Sequence, residues 1–213
     1  MARKRKSIAP RNTMLIVTAS EEEALYFSQL RKDSRYPNLS VTWVGSDITD
    51  INKCLTKASR ERTQGRYSEV WFVFSFDKFG ITNESLPEIQ SIANKKRVKL
   101  AWSNPGINLW YYFHFFALNN PSISSEEIDK KIRTKISDFD STPEYLKTDG
   151  LDFYQKICVF DNDANRNARM YNNIVEQFTG IPAINYVDLS LAITKNCGVA
   201  NFTLNQRTIG MDK

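Results

Sequence analysis

The stretch TMLIVTASEEEALYF, residues 13–27, joins two kinds of order. Met14 to Val17 form an apolar run too short for a helix, the pattern of a strand buried on both faces. Ser20 and Glu23 then stand at capping-box spacing: the serine hydroxyl takes the N–H of the third helical residue, and the glutamate reaches back to the serine N–H. A strand that passes directly into a helix, with no hairpin signal between them, opens a βα unit. The three glutamates Glu21, Glu22 and Glu23 admit two readings. They form either a carboxylate cluster for a divalent metal or the acidic first turn that a helix dipole favours. Arg31 and Lys32 fall at the other end of the same helix, where the dipole favours cations.

The unit repeats along the chain. Residues 41–45 (VTWVG) read as a second strand, and Ile48, Ile51, Leu55 and Ala58 mark the buried face of a helix ending near Gly65. Residues 69–74 (EVWFVF) are the clearest strand, β-branched and aromatic throughout. Leu86, Ile89 and Ile92 define a third helix with Asn83 as its cap, and residues 98–102 (VKLAW) a fourth strand. SNPGINLWYYFHFF then opens a helix with Asn104 as cap and Pro105 in its first turn. Four strands alternating with helices imply an α/β fold: a mostly parallel four-stranded sheet with right-handed crossovers, covered on both faces. Beyond residue 118 the pattern turns helical, with Ile128, Ile132 and Ile136 on one face and ANRNARMYNNIVEQF and NYVDLSLAI as further helices. No linker or internal repeat appears. The expected organisation is a basic arm (1–12), one domain (13–195, with an α/β core over 13–118 and a helical part over 119–195), and a loose tail (196–213).

The chain has 213 residues, with 41% hydrophobic and 25% charged residues, ordinary for a soluble domain with one sizeable core. No apolar stretch approaches the ~18 residues of a membrane span, and the run after the basic N-terminus is too short for a signal-peptide core. Cys54, Cys158 and Cys197 are widely spaced and odd in number, so free thiols in a cytoplasmic protein are expected, not a disulfide framework or zinc site. The net charge of +5 resides in the arm: Arg3, Lys4, Arg5, Lys6 and Arg11 occur there without an acid, leaving 24 basic against 24 acidic side chains elsewhere. Such an arm suits salt-sensitive contacts to phosphate backbones, or is a solvated tail.

In a parallel sheet, functional groups gather at the C-terminal strand ends, here residues 19–23, 75–78 and 103–108. No phosphate loop, dinucleotide fingerprint or nucleophile elbow is present, and a single histidine, His114, gives little support to a Ser-His-Asp site. Mg²⁺-assisted chemistry on phosphates remains, with Glu21, Glu22, Glu23 and Asp77 as candidates and Asp77 as the metal ligand. The competing readings are local. Glutamates belong in a first helical turn, DNDAN (residues 161–165) reads as a cap, and the rings of Trp102, Trp110, Tyr111 and Tyr112 pack a core as readily as they stack bases.

The ordered motifs resemble the RloB family, proteins of bacterial restriction and anti-phage loci that are also similar to the abortive-infection protein AbiLii. The family's first motif resembles LIVCEGEKTEPNYF. Here Leu15-Ile16-Val17 and Tyr26-Phe27 match its ends, with one residue fewer between them. Its next strand usually reads VWCVFDRDD, against VWFVFSFDK from Val70 to Lys78. Its third motif, SNPCFELWLLLHF, corresponds to Ser103, Asn104, Pro105, Trp110 and His114 in SNPGINLWYYFHF. The resemblance implies a Toprim-like fold, Mg²⁺-dependent phosphodiester chemistry on DNA, RNA or tRNA, and an ABC/SMC-like ATPase partner. The departures fall on the acids: Ala19 or Ser20 at the first-motif glutamate, Ser75 at the first aspartate of D-x-D, and Asn108 at the third-motif glutamate. Two expectations result. Either the chain is a non-catalytic subunit binding nucleic acid or a partner protein, or it is a nuclease whose site has moved to Asp77, Glu21 and Glu23.

Overall fold

The computed structural model describes residues 12–198. The sheet is built from β1 (Met14–Thr18), β2 (Leu39–Trp43), β3 (Glu69–Ser75) and β4 (Lys99–Ser103). All pairings are parallel and the order is β2-β1-β3-β4. Between the strands run α1 (Glu21–Asp33), α2 (Ile51–Gln64), the single turn α3 (Phe76–Phe79) and α4 (Leu86–Lys95). After β4 come α5 (Asn108–Phe113), α6 (Ser125–Ile132), α7 (Pro143–Lys147), α8 (Phe153–Ile157), a 3₁₀ turn at Cys158–Phe160, α9 (Asp161–Thr179) and α10 (Tyr186–Cys197).

The apolar strands serve two cores because alternate side chains take opposite faces. Met14, Ile16, Trp71, Val73 and Ala101 face one core, shared with α1 and the helices after β4. Leu15, Val17, Val70, Phe72, Phe74 and Leu100 face the other, against Cys54, Leu55 and Ala58 of α2 and Leu86, Ile89 and Ala93 of α4. The chain leaves β1 for β2 over the first face and returns to β3 over the second. The crevice between the C-terminal ends of β1 and β3 is therefore the topological switch point, where α/β sheets place their sites.

Several local expectations need correction. The helix marked by Leu86, Ile89 and Ile92 starts at Leu86 with Ser85, not Asn83, at the cap position. Asn104 does not cap α5, which begins at Asn108 behind Ile107 with no side-chain cap. The Asn104 N–H is instead used across the sheet edge, donating to the Ala183 carbonyl at 2.9 Å. α9 starts at Asp161 itself, so Asp161 is its first residue and not its cap. The last helix runs to Cys197, two residues into the stretch read as tail. Residues 199–213 of that tail, and Arg3, Lys4, Arg5, Lys6 and Arg11, lie outside the described residues.

The edge of β4 is closed by a side chain that imitates a strand. Asn185 Oδ1 accepts the Trp102 N–H at 2.6 Å while its Nδ2 donates to the Leu100 carbonyl at 2.9 Å. The Asn185 N–H adds a bond to the Trp102 carbonyl at 3.1 Å. Asn185→Ala leaves a backbone donor and acceptor at the half-buried edge unpaired, so a loss of about 2 kcal/mol is expected in urea unfolding. A change within ~0.5 kcal/mol would show that water replaces the amide without cost.

Candidate functional site

At the switch-point crevice the Ser20–Glu23 spacing forms its capping box. Ser20 Oγ accepts the Glu23 N–H, and Glu23 Oε2 accepts the Ser20 N–H at 3.0 Å. The same oxygen also accepts the Ala19 N–H at 3.2 Å. The other oxygen, Oε1, crosses to β3, where Ser75 Oγ donates to it at 3.0 Å. Ser75 Oγ lies 3.4 Å from Ser103 Oγ at the end of β4. A single fully buried side chain thus ties the ends of β1 and β3, with β4 one hydroxyl away. Burial pushes the Glu23 carboxyl up to about 8, with the neighbouring Glu22 charge adding to the rise. The hydrogen bonds from Ser20 and Ser75 oppose it.

Most of the other candidates do not join this group. Glu21 pairs with Lys147 of α7 at 2.8 Å. Asp77 is exposed on α3, its carboxyl raised by partial desolvation. Ala19, fully buried, packs its methyl group into the core shared with α2 and α4. Asn108 Nδ2 donates to Asp129 Oδ1 at 2.7 Å and to the Ser125 carbonyl at 3.3 Å, tying α5 to α6. Among the described residues no group of three or more His, Cys, Asp or Glu side chains is placed to hold a metal ion. Both Glu23 oxygens already receive N–H or O–H donors, so the donor set does not fit the Mg²⁺ that the resemblance implies.

Glu22 keeps company with an acid that sequence reasoning missed. It is half-buried, and its carboxyl is pushed up to about 7 by burial and then by the Asp129 charge, with Lys78 opposing. Asp129 accepts the Asn108 amide through one oxygen and the Ser141 hydroxyl at 2.6 Å through the other. No signal in the sequence marked it, since nothing local links α6 to α5. Near these acids, the Tyr111 hydroxyl is buried without a hydrogen-bond partner, and the Tyr186 hydroxyl points toward Ser103 without reaching hydrogen-bonding geometry.

The third motif builds the frame around the crevice. Trp110 Nε1 donates to the Tyr26 hydroxyl at 2.9 Å, fixing α5 to α1. His114 lies buried below, with Nδ1 2.9 Å from the Trp110 carbonyl and Nε2 3.2 Å from Asp161 Oδ1, fixing α5 to α9. Ser103, Asn104, Trp110 and His114 therefore each bind one element to another, and Pro105 leads the chain from β4 into α5. A family model described as RloB-like protein matches residues 14–173.

The chain belongs to the RloB-like family. The match begins with β1, spans the Glu23 crevice and the Trp110–His114 frame, and ends within α9. No curated protein and no solved structure matches the chain. No helix among the described residues of this RloB-like chain is long and apolar enough to cross a membrane.

The raised carboxyl of Glu23 sets a pH dependence of known sign. The folded state holds its proton to about 8, whereas the unfolded chain releases it near 4.5. Between those values the native state binds more protons, so stability falls as pH rises from about 5 to 8. Glu23→Gln keeps an acceptor for the two N–H groups and a donor for Ser75. Its unfolding midpoint should vary less over this window than that of the parent. Glu23→Ala should lose about 2 kcal/mol near pH 5, and that deficit should shrink as pH rises toward 8 because the variant lacks the titrating group. Identical pH profiles for parent and Glu23→Gln would remove Glu23 as the titrating group.

Proposed function

We propose that this RloB-like chain is an anti-phage, abortive-infection protein on a Toprim-like scaffold. It acts in the cytoplasm as a nucleic-acid-binding subunit beside an ABC/SMC-like ATPase. The observation that carries the reading is the internal satisfaction of Glu23. Where a metal-dependent nuclease needs carboxylate oxygens free for Mg²⁺, this crevice turns its one deeply buried acid onto two backbone N–H groups and the Ser75 hydroxyl. Ser75 and Asn108 supply hydroxyl and amide groups where the family resemblance leads one to expect acids. The frame of Trp110, His114 and Tyr26 is intact, which supports a role that needs the shape of the fold. The arm supplies charge for a phosphate backbone through Arg3, Lys4, Arg5, Lys6 and Arg11.

One observation favours a second reading. Glu22 lies close enough to Asp129 for each charge to disfavour the other, so two carboxylates still gather at this end of the sheet. A nuclease using them, with Asp77 or Glu21, is the alternative. The decisive assay incubates the purified chain with DNA, RNA and tRNA in Mg²⁺ or Mn²⁺, and measures binding over a range of salt. The expected result is no cleavage, with duplex DNA binding whose log K falls with log salt at a slope of about −4.5 for about five arm contacts. Replacing the five arm cations by serine should flatten that slope toward zero. Metal-dependent cutting abolished by Glu22→Gln or Asp77→Ala would establish the alternative and overturn the first reading.

A further inference from the structure

Away from the switch-point crevice, a cavity of about 580 Å³ opens between α1, the junction of α8 with α9, and α10. Its volume is that of a small-molecule site. Its walls are largely aromatic and aliphatic, with Tyr36, Tyr154 and Ile193 among them, and no lysine or arginine lines it. A phosphate or carboxylate entering here would leave its solvation shell and find no cation, a large cost. Neither the nucleic-acid reading above nor the family resemblance assigns this cavity a role.

Two acceptors stand among the polar groups that line it, beside side chains such as Ser190 and Thr194 that can also donate. Asp161 engages His114 through Oδ1, and its Oδ2 has no hydrogen bond among the described residues. Asn165 is fixed by its Nδ2 donating to the Asp161 carbonyl at 2.8 Å, and its Oδ1 is buried without a partner. A buried acceptor without a donor costs free energy until something supplies one. The field has the same sign: burial and then the Asp161 charge push the nearby Cys158 thiol up to about 12. Aromatic faces, a carboxylate and an unmet amide oxygen together favour a cation with N–H groups.

We propose that this cavity binds an organic cation, a guanidinium or alkylammonium group seated against the tyrosine faces with its N–H groups on Asp161 and Asn165. The group arrives either on a free small amine or on an arginine or lysine side chain of a peptide. The full-length chain is titrated with agmatine, with an N-acetylated, C-amidated Ala-Arg-Ala peptide, and with inorganic phosphate. Binding is read by calorimetry and by the rise in unfolding temperature.

Saturable binding of agmatine or the peptide is expected, with none of phosphate. Agmatine binding alone identifies a free amine as the source, and preference for the peptide identifies a side chain. Asn165→Leu should weaken binding at least about tenfold, and Ile193→Trp, which fills the cavity, should abolish it. Asp161→Asn should weaken it too. Because that change also disturbs His114, Asn165→Leu and Ile193→Trp decide the matter if it fails to fold. Failure of both cations to bind by about 10 mM overturns the proposal, as does equal binding of phosphate. So does unchanged affinity in Asn165→Leu and Ile193→Trp.

Discussion

One buried carboxyl group holds the centre of this molecule together. Parallel strands leave their C-terminal ends without hairpins, so beyond the ladder bonds neighbouring ends are fixed by the segment that each strand runs into. Here the helix after β1 returns a side chain, Glu23, that satisfies the turn beneath it and grips the last residue of β3. The position of α1 relative to β3 depends on that grip, and the aromatic contacts of Tyr26 and Phe27 with Tyr111 and Tyr186 depend on the position of α1. The link has a cost: burial opposes the charge that would make it strongest, and the native fold tolerates this by keeping the proton.

The α/β architecture was legible in the sequence because parallel, doubly covered strands are apolar without interruption and the runs at Met14–Val17 and Glu69–Phe74 are bounded by polar turns. The capping box was legible for the same local reason. Its consequence was not: spacing showed Glu23 reaching back to Ser20, but only the sheet order brings Ser75 to its second oxygen. Asn104 and Asp161 show the opposite failure. Both fit helix-cap preferences, yet α5 begins four residues beyond Asn104, whose N–H is tied to the Ala183 carbonyl, and the Asp161 carboxylate is claimed by His114. Local capping is worth about 1 kcal/mol, so a long-range hydrogen bond such as that of Asp161 with His114 readily displaces it. Asp129 could not have been found, because its role depends wholly on the packing of α6 against α5.

Shape and chemistry have separated in this RloB-like chain. The motif residues that connect elements, Trp110 and His114, do so through hydrogen bonds that would be expensive to lose in a buried setting. Two of the positions where acids are expected hold shorter, uncharged polar residues: Ser75 offers a hydroxyl to a carboxyl, and Asn108 offers an amide to Asp129. Each neutral group pairs with a nearby acid in place of a cation. Glu23 is thereby satisfied within the crevice, while Glu22 and Asp129 remain close enough for each charge to disfavour the other.

The Asn185 clasp has a consequence for assembly. A sheet grows by accepting a strand on a free edge, and the β4 edge has its amide and carbonyl positions already occupied by a side chain of its own subunit. β2 carries no strand on its outer side among the described residues. Extension of this sheet by another chain is therefore blocked beside Lys99–Ser103, so any assembly made through strand pairing has to use the other edge and has a built-in polarity.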